Sequence, residues 1–199
     1  MRKLIMVSIA LVMIIALIAY WKFLDNSHDS SEPSESIQTK TLQVTQAYLE
    51  GQYELVYEQL SEASHNRQGS KELSIRATTT YRTQGVWVRS LKPTDISSAQ
   101  IVRYSPEAKA FLICLMFIID HPDVRKLEDY LRNRSKSKIP NDLLNKYVFV
   151  EVVVGAHRFL QVWRLDSDGQ WRLLGWPLDG NPEVMAGSLR MMKREGITP

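Results

Sequence analysis

Two short segments bring together the residue types that general acid–base catalysis uses. Asp120 stands next to His121, and Glu151 lies a few residues before His157. An imidazole titrates near neutrality, and a neighbouring carboxylate can orient it or take up the proton itself. Asp120, Glu151 and His157 are therefore the candidate catalytic residues.

Asp120 has a structural interpretation beside the catalytic one. Adjacent residues of a strand point to opposite faces, so Asp120 and His121 would not share a pocket on a strand. Pro122 follows them, and Asp120 or Asp123 is then suited to cap the helix that begins there. The structural role is the preferred interpretation, and the catalytic one stays open.

Glu151 also has two interpretations. It lies in the middle of an apolar strand, where burial in a cavity would raise the pKa of its carboxyl and suit it to act as a base. On the outer face of a sheet it would instead form a cross-strand ion pair with Arg158 or Arg164. The ion pair is preferred, and convergence of Glu151 with His157 in one pocket would favour an enzyme.

The composition excludes several other chemistries. The net charge is only +3, which is too small to favour nucleic acid as a partner. The single cysteine, Cys114, rules out an intrachain disulfide, a Cys₄ zinc site and a CxxC redox pair. No glycine-rich phosphate loop, HExxH or GxSxG motif occurs. We therefore expect no cofactor and no metal.

Positive charge is concentrated in one insert, residues 123–145, and at Lys146 just after it. We interpret this basic insert as a solvated loop, with binding to an acidic partner or an anionic lipid surface as the alternative. Its cations are Arg125, Lys126, Arg132, Arg134, Lys136, Lys138 and Lys146.

An apolar segment near the N-terminus predicts a membrane anchor. Residues 4–21 read LIMVSIALVMIIALIAYW, without charge, proline or glycine. As a helix, this segment would extend about 27 Å, close to the thickness of the hydrocarbon core of a bilayer. A signal peptide normally has a shorter apolar core, so a retained span is preferred over a cleaved one.

The flanking residues predict the orientation of this span. Arg2 and Lys3 lie in a short tail, residues 1–3, that is expected in the cytoplasm, and an acidic, serine-rich segment follows the span. Residues 22–40 are predicted to be a flexible linker. Residues 41–199 are then one domain outside the cytoplasm.

Hydrophobic periodicity predicts an α+β domain. Apolar residues at helical spacing indicate an amphipathic helix over 41–60, a break at 64–68 and a second helix over 71–80. Strands are predicted to begin at Val86 and to include 100–104, 109–119 and 147–155. The run 109–119 is predicted to be a central strand that forms a hairpin with 100–104. Further helices are expected at the start of the insert 123–145 and over 182–193.

The clearest pattern is a hairpin near the C-terminus. Its strands, 158–165 and 171–176, are joined by residues 166–169, DSDG, which suit a type I turn closed by a glycine with positive φ. The predicted cross-strand pairs are Leu165 with Trp171, Trp163 with Leu173, and Val162 with Leu174.

The order of these elements resembles the NTF2-like, or cystatin-like α+β, superfamily. The resemblance lies in the AYLEGQYELVYEQL helix and the closing HRFLQVWRLDSDGQWRLLGWP hairpin. It implies helices packed on a curved antiparallel sheet, with a cone-shaped cavity that serves acid–base catalysis in some members and binding in others. The anchored architecture is also similar to that of VirB8-like components of bacterial secretion and conjugation machines.

These patterns favour a function in binding over one in catalysis. The leading hypothesis is a non-catalytic, single-pass membrane module outside the cytoplasm, which binds a protein partner as a homo-oligomer or as a subunit of a secretion or conjugation complex. The alternatives are an NTF2-like acid–base enzyme that uses Glu151, Asp120 or His157, and a domain that binds a small ligand.

Overall fold

The chain forms an α+β fold around a four-stranded antiparallel sheet. The structure, a computed structural model, describes residues 32–85, 88–116, 122–133, 138, 140–175, 177–178, 190–191, 193–194 and 196–197. Two units are distinguished, Met1–Ser36 and Ile37–Pro199, and the sheet belongs to the second. Among the described residues no helix is long and apolar enough to cross a membrane. The predicted span, residues 4–21, lies outside them.

Helices and strands follow one another along the described residues. The helices are α1 (Glu32–Leu49), α2 (Tyr53–Glu58), α3 (Glu62–Gln68), α4 (Lys71–Gln84), α5 (Pro106–Met116), α6 (Pro122–Arg132) and α7 (Asn141–Leu144). The strands are β1 (Ile96–Val102), β2 (Tyr147–Val154), β3 (His157–Leu165) and β4 (Trp171–Leu174).

The sheet is a meander in the order β1-β2-β3-β4. Strands β2 and β3 are joined by a two-residue turn whose first residue, Gly155, has φ +59°, as a type II′ turn requires. The predicted pairs across the β3–β4 hairpin are confirmed at all three positions. Its turn is closed by a hydrogen bond from the Gly169 amide to the Asp166 carbonyl, and Gly169 has the predicted positive φ of +79°.

The segment 41–60 was predicted as one helix, but it contains the second half of α1 and the whole of α2. Gly51 adopts φ +80°, a left-handed conformation that ends α1 and lets the chain turn into α2. Helix α1 begins at Glu32, within the segment predicted as a linker. Ile37 in this part of the helix is fully buried, so the folded unit begins before residue 41.

The predicted break at residues 64–68 is wrong, because these residues belong to α3. The hydroxyl of Ser61 accepts a hydrogen bond from the Ser64 amide and caps the helix, which ends where Gly69 takes φ +78°. Helix α4 starts in the same way, with the hydroxyl of Ser70 accepting from the Leu73 amide. The predicted second helix, 71–80, is confirmed within α4, whereas the polar composition of α3 gives little apolar periodicity to predict it from.

The predicted central strand over 109–119 is also wrong, because most of this segment is helix α5. The sequence before it contains a helix start: the Ser105 hydroxyl accepts from the Ala108 amide, and Pro106 and Glu107 occupy the first turn. Helix α5 contributes Leu112 and Ile113 to the core with the sheet and α6, but Leu115 on the same helix is also apolar although it is exposed. The run therefore lacks the apolar periodicity that would distinguish a helix from a buried strand.

Other predicted elements lie partly outside the described residues. Strand β1 begins at Ile96, and the predicted first strand residue, Val86, is not described. Of the predicted C-terminal helix, residues 182–189 are not described, whereas residues 190–191 and 193–194 are helical.

Both faces of the sheet are covered by helices. Helices α1 and α2 contribute Val44, Tyr48 and Val56 to a core with Val152 and Trp163 on one face of the sheet. We call this face the α1 face. Alternate residues of the same strands point the other way.

The opposite face, which we call the α5 face, carries a second core. Phe149 and Val162 pack there with Leu112 of α5, Leu127 of α6 and Leu143 of α7. Strand β2 is therefore apolar on both sides for most of its length.

Candidate functional site

Glu151 forms an ion pair on the α5 face of the sheet. It lies opposite Leu160 in β3, and its Oε1 accepts a hydrogen bond of 2.9 Å from Arg158. The predicted cross-strand pair is confirmed, with Arg158 and not Arg164 as the partner. Burial and, to a smaller extent, the charge of Glu151 raise the pKa of Tyr104 above its usual value.

His157 lies on the other side of the sheet from Glu151. It pairs with Val154, a residue of the α1-face core, and its ring centroid is 6.3 Å from that of Phe159 on the same face. Glu151 and His157 therefore do not form an acid–base pair with each other. The third candidate, Asp120, lies outside the described residues.

The described cations of the basic insert lie on exposed surface. Arg132 is 3.7 Å from Glu128, one turn earlier in α6, and both side chains are largely exposed. Arg125, Lys126, Lys138 and Lys146 are exposed as well, while residues 134–137 are not described. This exposure agrees with the interpretation of the insert as solvated, although Arg125, Lys126 and Arg132 lie on helix α6 and not in a loop.

A network of buried charges, which the sequence reasoning missed, joins the ends of several elements. Its centre is Asp166, just after β3, whose side chain is only 2% exposed. Oδ1 of Asp166 accepts from Arg164 at 3.1 Å, and Oδ2 accepts from Arg172 at 3.2 Å. The backbone amide of Glu62, at the start of α3, also donates to Oδ2 at 3.0 Å.

Arg164 extends this network to α6. Its Nη2 is 3.4 Å from Oδ2 of Asp123, and the same oxygen accepts a hydrogen bond of 3.0 Å from the Tyr147 hydroxyl. Burial and then the charge of Asp123 raise the pKa of Tyr147, so the phenol stays protonated and donates. Asp123 lies in the first turn of α6, where the helix dipole favours a carboxylate.

The geometry of this charge network indicates a structural role. Both carboxylate oxygens of Asp166 are occupied by hydrogen bonds from guanidinium groups within the protein. The network fastens α3 and α6 to the β3–β4 hairpin. Its members lie far apart in the chain, so spacing could not reveal it; the charged sequence RLDSDGQWR around the hairpin turn is the one local signal.

An open groove of about 450 Å³ lies along α1 and α2. Val44 and Ala47 form its nearly buried floor, and Leu55 of α2 contributes an aliphatic side chain that is 52% exposed. The remaining lining residues are polar or charged: Lys40, Gln43, Gln46, Glu50, Gln52 and Gln59.

The lining gives this groove a definite chemistry. A primary amide both donates and accepts hydrogen bonds, so its four glutamines can pair with peptide groups or with other amides. The two described charges of the lining, on Lys40 and Glu50, are opposite in sign. The groove therefore suits a neutral, amphipathic surface, and not a phosphate or a metal ion. Sequence periodicity predicted the helix but not the groove, because the groove depends on the turn at Gly51.

Cys114 is predicted to be unreactive in the folded protein. Its thiol lies 3.9 Å from the carbonyl of Val124, and burial, followed by the charge of Glu128, raises its pKa to about 12. Because the thiolate is the nucleophile, we expect iodoacetamide at pH 8 to alkylate the folded protein at least about a hundredfold more slowly than the urea-unfolded chain. Mass spectrometry of quenched samples measures both rates.

A second cysteine provides the control for this experiment. Ser167 is exposed in the hairpin turn, so a Ser167→Cys variant should be alkylated at that position at the ordinary rate of a free thiol. Equal rates at positions 114 and 167 in the folded protein would contradict the prediction.

The described residues contain no cluster of three or more histidine, cysteine, aspartate or glutamate side chains that could hold a metal ion. No family model, curated protein or solved structure matches the chain. Fold and site together define an α+β domain with helices on both faces of an antiparallel sheet and an open, amide-lined groove along α1 and α2.

Proposed function

We propose that this protein is a membrane-anchored binding module that works outside the cytoplasm and holds a helical polypeptide segment in the groove along α1 and α2. The groove carries the proposal, because it combines an aliphatic floor with amide side chains and has no excess of charge among its described lining residues. Helices that dock in grooves present a similar mixture of apolar and polar groups.

The position of the acid–base candidates also favours binding over catalysis. Glu151 forms an ion pair with Arg158, and His157 projects from the opposite face of the sheet. The apolar segment 4–21, with its cationic N-terminal flank, supports the anchored orientation. A helical segment followed by an antiparallel sheet that ends in a hairpin supports an NTF2-like plan, which also fits a subunit of a secretion or conjugation complex.

A photoreactive amino acid in the groove tests this proposal. Placed at position 55 of the full-length chain in living cells, it should crosslink to a discrete polypeptide, and the product should remain in the carbonate-washed membrane pellet. An Ala47→Arg substitution, which fills the floor of the groove, should reduce the crosslinked fraction at least about fivefold, because a bulky charge in a docking surface costs about 1 kcal/mol or more.

Leu73 supplies a matched control. It is a leucine on α4 with a similar exposure, 59%, and it does not line the groove. A photoreactive residue at position 73 should give no such product. The same product from positions 55 and 73, or a product that is insensitive to Ala47→Arg, would refute the groove as the binding site.

A further inference from the structure

We propose that the segment held in the groove is α1 of a second copy of this chain, packed antiparallel about a two-fold axis. This inference rests on the proposed function, since it assigns the partner of the same groove. It follows from the pattern of lining residues along α1 and from their charges.

The lining residues of α1, together with Glu50 directly after it, are arranged symmetrically about position 45. They form three pairs equidistant from it: Lys40 with Glu50, Gln43 with Ala47, and Val44 with Gln46. In an antiparallel pair of identical helices centred there, Lys40 faces Glu50 of the second copy and Gln43 faces Ala47 of the second copy, while Val44 and Gln46 lie level with each other on the two flanks of the contact. An isologous two-fold interface requires such self-complementarity.

The chemistry of each pair suits close packing. Lys40 and Glu50 lie about 15 Å apart along the helix, so antiparallel packing places each lysine beside the glutamate of the other copy, twice. Ala47 is small and leaves room for the side chain of Gln43 from the other copy. Glu50 already accepts a hydrogen bond of 2.8 Å from Gln46, which holds its carboxylate at the groove.

The expected dimer is weak in dilute solution and stronger on a membrane. One helix pair with the exposed side of Leu55 offers a small interface, and exposed ion pairs contribute little each. Confinement of both copies to one bilayer raises their effective concentration, so a weak contact suffices there.

Complementary charge reversals test the symmetry directly. Full-length chains carrying C-terminal donor or acceptor fluorescent proteins are mixed in detergent micelles, and energy transfer is measured against concentration. Lys40→Glu places two glutamates opposite each other at both ends of the interface, and Glu50→Lys does the same with lysines. Each variant alone should associate about tenfold more weakly than the wild type.

A mixture of the two variants should recover the wild-type affinity, because every lysine again faces a glutamate. The double variant Lys40→Glu/Glu50→Lys should also pair with itself. Failure of the mixture to recover, or an absence of energy transfer in the wild type, would overturn the dimer. If the crosslink at position 55 then still formed with another polypeptide, the binding module would stand and only the identity of its partner would be refuted.

Discussion

Replacing Asp166 with alanine should lower the free energy of unfolding by about 3 kcal/mol, because it leaves two guanidinium groups without their shared buried carboxylate. Arg164, whose side chain is only 15% exposed, would keep Asp123 at 3.4 Å and Tyr147 as partners but lose its closest carboxylate. The amide of Glu62 would lose its acceptor at the start of α3. Urea unfolding followed by circular dichroism should show a midpoint lower by about 1–2 M.

Two further substitutions separate the causes of this effect. Asp166→Asn retains an oxygen for the Glu62 amide but removes the charge, so its effect should be intermediate. Asp168 also binds Arg172 but is well exposed, so Asp168→Ala should change the midpoint little. If Asp166→Ala and Asp168→Ala changed the urea midpoint by the same amount, the charge network would not be what attaches the hairpin to α3 and α6.

Truncating Trp163 to alanine should destabilise the protein by about 3–5 kcal/mol, because this indole fills the centre of the α1-face core. Trp163 is completely buried and lies opposite Leu173 in β4. Thermal unfolding should show a melting temperature lower by about 10 °C, given roughly 2–4 °C per kcal/mol for a domain of this size. The loss of stability measures how much Trp163 contributes to the packing of α1 on the sheet.

Trp163→Phe is the informative companion of this substitution. The buried indole Nε1 has no hydrogen-bond partner among the described residues, so phenylalanine removes an unpaired donor while keeping most of the apolar area. We expect it to cost much less than alanine, about 1–2 kcal/mol. An equal loss from phenylalanine and alanine would show that the indole N–H makes a bond that stabilises the fold.

The substitutions at Trp163 and Asp166 affect different parts of the structure around the groove. Trp163 packs in the core beneath α1, and Val44 and Ala47 belong both to that core and to the floor of the groove. Asp166 fixes the hairpin to α3 and α6, and neither it nor its partners line the groove. Loss of groove crosslinking in Trp163→Ala but not in Asp166→Asn would therefore indicate that the groove depends on the seating of α1.

The sequence by itself determined the elements whose signals are local. The β3–β4 hairpin follows from a turn with a glycine at its left-handed position and from alternating side chains, and its register was predicted residue by residue. An ion pair of Glu151 with Arg158 or Arg164 was also predicted, and the register of β2 with β3 selects Arg158. The amphipathic pattern of α1 likewise needed no tertiary information.

Only the tertiary structure decided whether the apolar run in α5 forms a helix or a strand, and where the polar clusters lie. A run that is apolar at buried and exposed positions alike carries no periodicity, so whether it is helix or strand depends on what packs around it. Asp166 meets Glu62 across 104 positions of the chain, and the groove is formed by residues on both sides of the turn at Gly51 that joins α1 to α2. Such contacts arise from chain topology, which the spacing of residues in the sequence does not encode.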